Sequence, residues 1–187
     1  MLRHLPNALC IVRILLSIPV AWLIARDEYV ATLWVFAFAA VTDALDGFLA
    51  KRFGWESELG KTLDPLADKI LLVTAFIALA VVGRVPAWLA IAVVARDVII
   101  GFGAVAYRIL FGPIHGHPTI ISKLNTLLQI GYVLAVVGAQ AAQEGFSTWI
   151  TILTTSVLVT TIASGIDYVA TYIQRAIGVS RQREISR

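Results

Sequence analysis

The sequence predicts an all-α polytopic membrane protein that forms a single domain over residues 1–187. Of the 187 residues, 59% are apolar and 14% are charged, and the mean hydropathy is +0.84. Soluble domains average about 45–50% apolar and about 25% charged residues. The chain contains six long apolar segments. Each of them approaches or exceeds the roughly 20 residues that a helix needs to cross a bilayer, so we predict six transmembrane helices.

Short polar segments separate the six predicted helices. Asn7 is placed as the N-cap of the first helix, which Pro19 is expected to bend. Pro65 is tolerated in a first helical turn, so the third helix is predicted to begin near Lys61. The predicted spans are 8–25, 29–51, 61–82, 87–110, 119–141 and 147–170, with a polar loop at 52–60 and a basic tail after the last span.

The distribution of Lys and Arg predicts the orientation of the chain. Six spans put both termini on one side, and the opposite side carries Arg26 and Arg84. The terminal side carries ten basic residues in its loops and span ends, namely Arg3, Lys51, Arg52, Lys61, Arg108, Lys123, Arg175, Arg181, Arg183 and Arg187. The positive-inside rule therefore places the termini in the cytoplasm. Because we find neither a transit peptide nor a cleavage site, we expect a bacterial cytoplasmic membrane.

Four aspartates flank the predicted junction of the second and third helices. Asp43 and Asp46 are three residues apart, and Asp64 and Asp68 are four apart, so each pair shares one helix face. Carboxylates held close together repel strongly in a low dielectric, and divalent ions neutralise them. Oxygen donors favour Mg²⁺, Mn²⁺ or Ca²⁺ over zinc. We therefore predict a site for two metal ions, of the kind that supports phosphoryl transfer.

The residues beside these aspartates fit a phosphate-bearing substrate. Gly47 and Ala50 keep the second helix narrow, which lets a phosphate or a flat base approach the backbone. Lys51 and Arg52 follow and can neutralise phosphate charge. This segment is therefore predicted to bind a phosphorylated ligand.

A second group of candidate residues is cationic. Arg96 and Arg108 lie on the fourth predicted helix and Lys123 begins the fifth, so they could bind a second phosphate if those helices are adjacent. Each residue also has an alternative role. Arg96 could pair with Asp97, Arg108 could extend to the membrane surface, and Lys123 could be an interfacial anchor. Arg13, within the first span, could pair with an aspartate instead of touching substrate.

The acidic segments together resemble a known family signature. The pattern Asp43-x-x-Asp46-Gly47-x-x-Ala50, followed by Gly60-x-x-x-Asp64-x-x-x-Asp68, resembles that of the CDP-alcohol phosphatidyltransferases. The resemblance implies the family's fold, a homodimer, and two Mg²⁺ or Mn²⁺ ions bound by the four aspartates. It also implies that Asp68 is the general base. Lys51 stands where the family usually has Arg. The positions matched to CDP-lipid contacts are Asn7, Asp43, Gly47, Ala50, Lys51, Gly60 and Asp64.

A second motif narrows the resemblance within the family. The segment Ser122-Lys123-Leu124-Asn125-Thr126-x-x-Gln129 resembles the cardiolipin synthases that use CDP-diacylglycerol. This likeness implies that CDP-diacylglycerol and phosphatidylglycerol react to give cardiolipin and CMP, with the acceptor phosphate near Arg96, Arg108 and Lys123. The alternatives are a phosphatidylglycerophosphate synthase, which uses glycerol 3-phosphate, and a divalent-cation transporter. The expected partners are these lipids, the surrounding membrane and a second copy of the chain, and no nucleic acid is expected.

Overall fold

The computed structural model describes the backbone of residues 5–53, 58–111, 119–143, 145 and 147–185, and the side chains of 10–42, 67–106, 109, 119–143, 145 and 147–171. The described chain is helical apart from short turns, which confirms the predicted all-α class with six helices. They are α1 (Leu5–Ala25), α2 (Tyr29–Phe53), α3 (Glu58–Val81), α4 (Ala87–Phe111), α5 (Ile120–Ala141) and α6 (Thr148–Ile185).

Several helices extend further than the apolar pattern predicts. The third helix begins at Glu58 instead of near Lys61, so Pro65 and both of its aspartates lie inside the helix and not at its entrance. Residues 52, 53 and 58–60 of the predicted loop are helical, because α2 continues to Phe53 and α3 begins at Glu58. Hydropathy marks the part of a helix that lipid surrounds, whereas the backbone hydrogen bonds continue into polar sequence. The predicted boundary was therefore wrong by about one turn.

The first and last helices show the same effect. The first helix begins at Leu5, so Asn7 lies in its first turn and the predicted N-cap role was wrong. The last helix continues to Ile185, and most of the predicted basic tail is therefore helical. Polar and basic residues are compatible with a helix wherever it extends from the bilayer into water.

The described surface is that of an integral membrane protein. By length and composition, three helices in this part of the chain could cross a bilayer, at Ala87–Ala106, Ile120–Ala141 and Thr148–Thr171. Shorter apolar stretches occupy Cys10–Ala25 and Tyr29–Thr42. Large apolar side chains face outward on these helices, and Ile120 is 84% exposed. Such surfaces are unfavourable in water and match the hydrocarbon of a membrane.

Four exposed tryptophans lie near helix ends that the charge pattern places outside the cytoplasm. Trp22 is close to the end of α1, and Trp34, Trp88 and Trp149 are close to the starts of α2, α4 and α6. Tryptophan is enriched at membrane–water interfaces because its ring is apolar and its N–H is polar. The positions of these residues therefore fit a role as interfacial anchors.

The chain divides into two compact units. The first unit contains residues 1–90 and 133–150. Within it, α1 packs against both α2 and α3, which carry the acidic segments. Its buried core is mostly apolar and includes Val20, Ile24, Phe76 and Leu79. The turn that follows α3 contains Gly83, whose φ of 74° lies in the left-handed region that glycine adopts without strain.

The second unit contains residues 91–132 and 151–187 and has a more polar interior. Ser122, Asn125 and Gln129 of α5 are buried, as are Thr161 and Ser164 of α6. Hydrogen bonds join the two helices, as is common where helices associate within lipid. The hydroxyl groups of Ser122 and Ser164 accept hydrogen bonds from the cationic side chain described below.

The turn between α1 and α2 is fixed by a small hydrogen-bonded cluster. The Tyr29 hydroxyl donates to Asp27 Oδ1 at 2.6 Å, and Arg84 Nη2 donates to the same oxygen at 3.4 Å. The hydrogen bond from Tyr29, followed by that from Arg84, lowers the pKa of Asp27 below its usual value. A carboxylate with a lowered pKa in the folded state stabilises that state above its unfolded pKa. This contribution is lost as the pH falls through the folded value.

We therefore expect Asp27→Asn to lower the melting temperature at pH 7. The decrease should be only about a degree or two, because the Asp27–Arg84 ion pair is exposed to solvent. The difference from wild type should shrink as the pH falls below about 3.8, the ordinary pKa of an aspartate, and should vanish only below the lowered pKa of the folded state. Thermal unfolding of the detergent-solubilised protein across this pH range measures the effect. A difference that stays constant down to pH 3 would show that the charge of Asp27 contributes nothing.

Candidate active site

The first candidate group contains an ion pair between α1 and α3. Arg13 Nη1 donates to Asp68 Oδ1 at 2.6 Å. The arginine side chain is 1% exposed, whereas that of Asp68 is 50% exposed. The structure thus bears out the alternative that Arg13 pairs with an aspartate. This charge-assisted bond fixes the direction of the carboxylate and leaves half of its surface open to a ligand.

The other three predicted metal ligands can be placed only by their backbone. Asp43 and Asp46 lie on α2 and Asp64 lies on α3, and their side chains fall outside the described residues. Both segments are helical, so the spacings of three and four residues put each pair on one helix face, as predicted. Convergence of the four carboxylates stays a prediction.

The donor set fits a hard divalent cation. All four predicted ligands are carboxylates, which suit Mg²⁺ or Mn²⁺, and the half-exposed Asp68 is open to an ion. Among the side chains that the structure describes, no group of three His, Cys, Asp or Glu could hold a metal. Three of the four predicted ligands lie outside that set, so the metal site also stays a prediction.

The predicted CDP-lipid contacts all lie on helices. Asn7 is in the first turn of α1, and Gly47, Ala50 and Lys51 are in the second half of α2. Gly60, which we expected at the end of a loop, is the third residue of α3. The side chains of these residues fall outside the described part, and their roles stay predictions.

The second candidate group surrounds a buried arginine on α4. Arg96 is 5% exposed, and its Nη1 donates to Asp97 Oδ1 at 2.7 Å, so the ion pair that was considered as its alternative role is present. Its Nη2 donates to Ser122 Oγ at 2.8 Å and also to Ser164 Oγ. The Tyr168 ring centre lies 5.8 Å from the guanidinium carbon, within cation–π range. The Nε–H group is buried and donates to none of the described residues.

Neither of the other two predicted cations is among the described contacts of Arg96. Lys123 is exposed in the first turn of α5, beside the serine that binds Arg96. Arg108 lies twelve residues beyond Arg96 on the same helix, which corresponds to about 18 Å along the axis. One phosphate cannot contact both arginines across that distance. The side chain of Arg108 falls outside the described residues.

Several polar residues of this group were missed by the sequence reasoning. Asn125 Oδ1 accepts hydrogen bonds from Thr160 at 2.9 Å and from Thr161 at 3.0 Å. Ser164, one turn further along α6, binds Arg96. The sequence did contain a signal for them, namely polar residues at helical spacing within an apolar span. Unpaired polar groups are unfavourable in lipid, so such residues are expected to contact another helix. Such spacing marks a polar face and does not by itself identify the partner helix.

Comparison with known proteins shows which family this chain is similar to. The sequence profile of the CDP-alcohol phosphatidyltransferases matches residues 3–163, which include both acidic segments and Arg96. The chain is 35% identical to "Cardiolipin synthase (CMP-forming)" of Rattus norvegicus, and equally to that of Homo sapiens, over 88% of this chain and 60% of each relative. It is 33% identical to "CDP-diacylglycerol--glycerol-3-phosphate 3-phosphatidyltransferase 1, chloroplastic" of Oryza sativa, over 91% of this chain and 57% of that relative. The chain thus spans about 60% of the length of these relatives.

Proposed function

The chain belongs to the CDP-alcohol phosphatidyltransferase family, and from that premise we propose that it transfers the phosphatidyl group of CDP-diacylglycerol to phosphatidylglycerol. The products are cardiolipin and CMP. The observation that carries this proposal is the 35% identity to two CMP-forming cardiolipin synthases over 88% of the chain. The buried arginine of α4, set among hydroxyl groups within a membrane helix, supports an anionic lipid as the acceptor.

The proposed reaction is a displacement at phosphorus. The terminal hydroxyl oxygen of the phosphatidylglycerol headgroup bonds to the phosphorus that carries diacylglycerol, and the bond from that phosphorus to the CMP oxygen breaks. Asp68 accepts the hydroxyl proton, and its half-exposed carboxylate is open to that approach. Arg13 positions the carboxylate through the 2.6 Å hydrogen bond.

Metal ions would complete the donor side of this site. Asp43, Asp46, Asp64 and Asp68 would hold two Mg²⁺ or Mn²⁺ ions, which when bound neutralise the diphosphate and stabilise the charge of departing CMP. Gly47, Ala50, Lys51 and Gly60, with Asn7, are proposed to surround the CDP group. Lys51 can neutralise phosphate as a point charge but lacks the bidentate geometry of arginine.

The acceptor side is proposed to lie in the second unit. Arg96 would bind the acceptor phosphodiester. Lys123, a flexible cation in the first turn of α5, would attract the anionic headgroup of the acceptor at the membrane surface. Arg108, too far along α4 to share that phosphate, would act at the surface. The excess of basic residues supports a cytoplasmic site. The bacterial membrane and the homodimer stay predictions, since the relatives named above come from mammals and a plant.

A second candidate function is phosphatidylglycerophosphate synthesis. It is favoured by the 33% identity to the rice enzyme, whose name specifies glycerol 3-phosphate as acceptor. The two functions share the CDP-lipid site and differ in the acceptor. A soluble phosphomonoester would need a wetter cationic pocket than a membrane phosphodiester, because a dianion loses more hydration on burial.

An acceptor assay distinguishes the two functions. The purified full chain is supplied with CDP-diacylglycerol and Mg²⁺ or Mn²⁺, and CMP release is measured with phosphatidylglycerol or with glycerol 3-phosphate. We expect release that depends on phosphatidylglycerol and appearance of cardiolipin in the lipid extract. Release that depends on glycerol 3-phosphate alone would establish the second function. No release with either acceptor would overturn both.

A further inference from the structure

The last helix carries an aspartate that neither candidate group uses. Asp167 lies within the Thr148–Thr171 span, four residues before its end, and beyond residue 163, where the match to the family profile stops. The Oδ2 atom of its carboxylate is buried and accepts no hydrogen bond from the residues that the structure describes. A buried carboxylate oxygen without a donor is unfavourable, and an ionisable residue in a membrane span generally marks a functional contact.

Two hydrogen bonds show which side of α6 carries Asp167. The Thr160 hydroxyl donates to Asn125 of α5 at 2.9 Å, and Asp167 lies seven residues beyond Thr160, on the same face of the helix. Ser164, whose hydroxyl accepts from Arg96, lies three residues before Asp167 and is its neighbour on the helix surface. Asp167 therefore lies on the side of α6 that contacts α5, one turn beyond the serine that binds the buried arginine.

The polar interior around Asp167 contains unmatched groups of both kinds. Arg96 donates to Asp97 at 2.7 Å, but its buried Nε–H donates to none of the described residues. Asn125 Nδ2 is likewise buried without an acceptor among them. Unmatched donors suit the oxygens of a phosphodiester, whereas the unmatched oxygen of Asp167 requires a group that carries a proton, such as a hydroxyl. A second phosphate at Asp167 is disfavoured, because like charges repel there.

We propose that Asp167 accepts a hydrogen bond from the secondary hydroxyl of the glycerol headgroup of the acceptor, an inference that rests on the proposed function. The hydrogen-bond donors of phosphatidylglycerol are the two hydroxyls of that headgroup, and the terminal one gives its proton to Asp68. The secondary hydroxyl is the donor that remains for a carboxylate close to the phosphodiester at Arg96. Asp167 is thus a specificity-determining residue, which selects acceptors with a hydroxyl on the middle carbon of the headgroup.

The test compares phosphatidylglycerol with phosphatidylpropanediol, an acceptor in which hydrogen replaces the secondary hydroxyl. Both lipids have the same phosphodiester, the same terminal hydroxyl and the same acyl chains. We expect kcat/KM of the wild type, measured by CMP release, to be about ten- to a hundredfold higher for phosphatidylglycerol, because only that lipid donates the additional hydrogen bond to a charged group. Equal kcat/KM values for the two lipids would overturn the proposal without any variant.

Variants of Asp167 show whether this residue is the source of the preference. Asp167→Ala should bring the two kcat/KM values within about threefold of each other, and Asp167→Asn should retain part of the preference, since an amide oxygen accepts a weaker hydrogen bond. Asp27→Ala is the matched control, because it removes a carboxylate from the α1–α2 turn, and it should keep the wild-type preference. Lost stability lowers both rates together and leaves their ratio unchanged. A wild-type ratio in Asp167→Ala and in Asp167→Asn would overturn the proposal.

The same comparison distinguishes this inference from the proposed function. If CMP release depends only on glycerol 3-phosphate, the matched acceptors are glycerol 3-phosphate and propanediol monophosphate, which lacks the secondary hydroxyl. A preference for glycerol 3-phosphate that disappears in Asp167→Ala would support the role of Asp167 while the proposed function fails. Release that depends on phosphatidylglycerol, without any preference for the secondary hydroxyl, would overturn the role of Asp167 and leave the proposed function intact.

Discussion

Asp68→Asn is expected to lower the rate of CMP release by at least about a thousandfold. The amide has nearly the same shape as the carboxylate, but it carries no charge and cannot accept the proton of the attacking hydroxyl. Its oxygen can still accept the hydrogen bond that Arg13 Nη1 donates in the wild type at 2.6 Å. Affinity for CDP-diacylglycerol should change by less than about threefold, since the lipid chains and the other proposed contacts remain.

Two measurements distinguish loss of the catalytic base from loss of the folded structure. CMP release gives the rate, and equilibrium binding of labelled CDP-diacylglycerol shows whether the donor site survives. Asp27→Asn is the matched control, because it makes the same chemical change in the α1–α2 turn, outside both candidate groups. The control should release CMP within about twofold of the wild-type rate. If Asp68→Asn turned over at the rate of that control, Asp68 would not be the base.

The apolar pattern predicted the number and order of the helices but not their ends. Hydropathy identified all six segments, because lipid contact requires a long run of apolar side chains. It did not predict that α3 begins at Glu58 or that α6 reaches Ile185, since those turns are polar and are held by backbone hydrogen bonds. Because hydropathy placed the start of α3 too late, Pro65 was predicted in its first turn, whereas it lies inside the helix.

Side-chain partners were predictable only where the sequence separation was short. The Arg96–Asp97 pair joins neighbours in the chain, and it was one of two roles considered for the arginine. Ser164 is 68 residues from Arg96, and its contact depends on how α6 packs, which periodicity alone does not determine. Asp68 is 55 residues from Arg13, and any of the four aspartates could have been its partner. To predict these contacts, one would need to know which face of each helix packs against which neighbouring helix.

Arg13→Gln is expected to lower the rate of CMP release by about a hundredfold. Arg13 is 1% exposed and fixes a half-exposed carboxylate, so its loss should leave Asp68 free to take up other orientations. Arg13→Lys retains the charge and should recover about tenfold of the loss. Arg26→Gln is the control, because Arg26 lies just beyond α1 and stacks on Trp22 instead of contacting an aspartate of the site. We expect that variant to keep the wild-type rate within about twofold.

The double variant Arg13→Gln/Asp68→Asn shows whether the arginine acts through the aspartate. If Arg13 only positions Asp68, the rate should be no lower than that of Asp68→Asn alone, because a positioning residue has no effect once the base is absent. Each variant is also checked for monodispersity and melting temperature, since removal of a buried cation can destabilise the α1–α3 contact. Losses that multiply in the double variant would mean that Arg13 contacts the substrate itself. A normal rate in Arg13→Gln would leave the ion pair a structural role only.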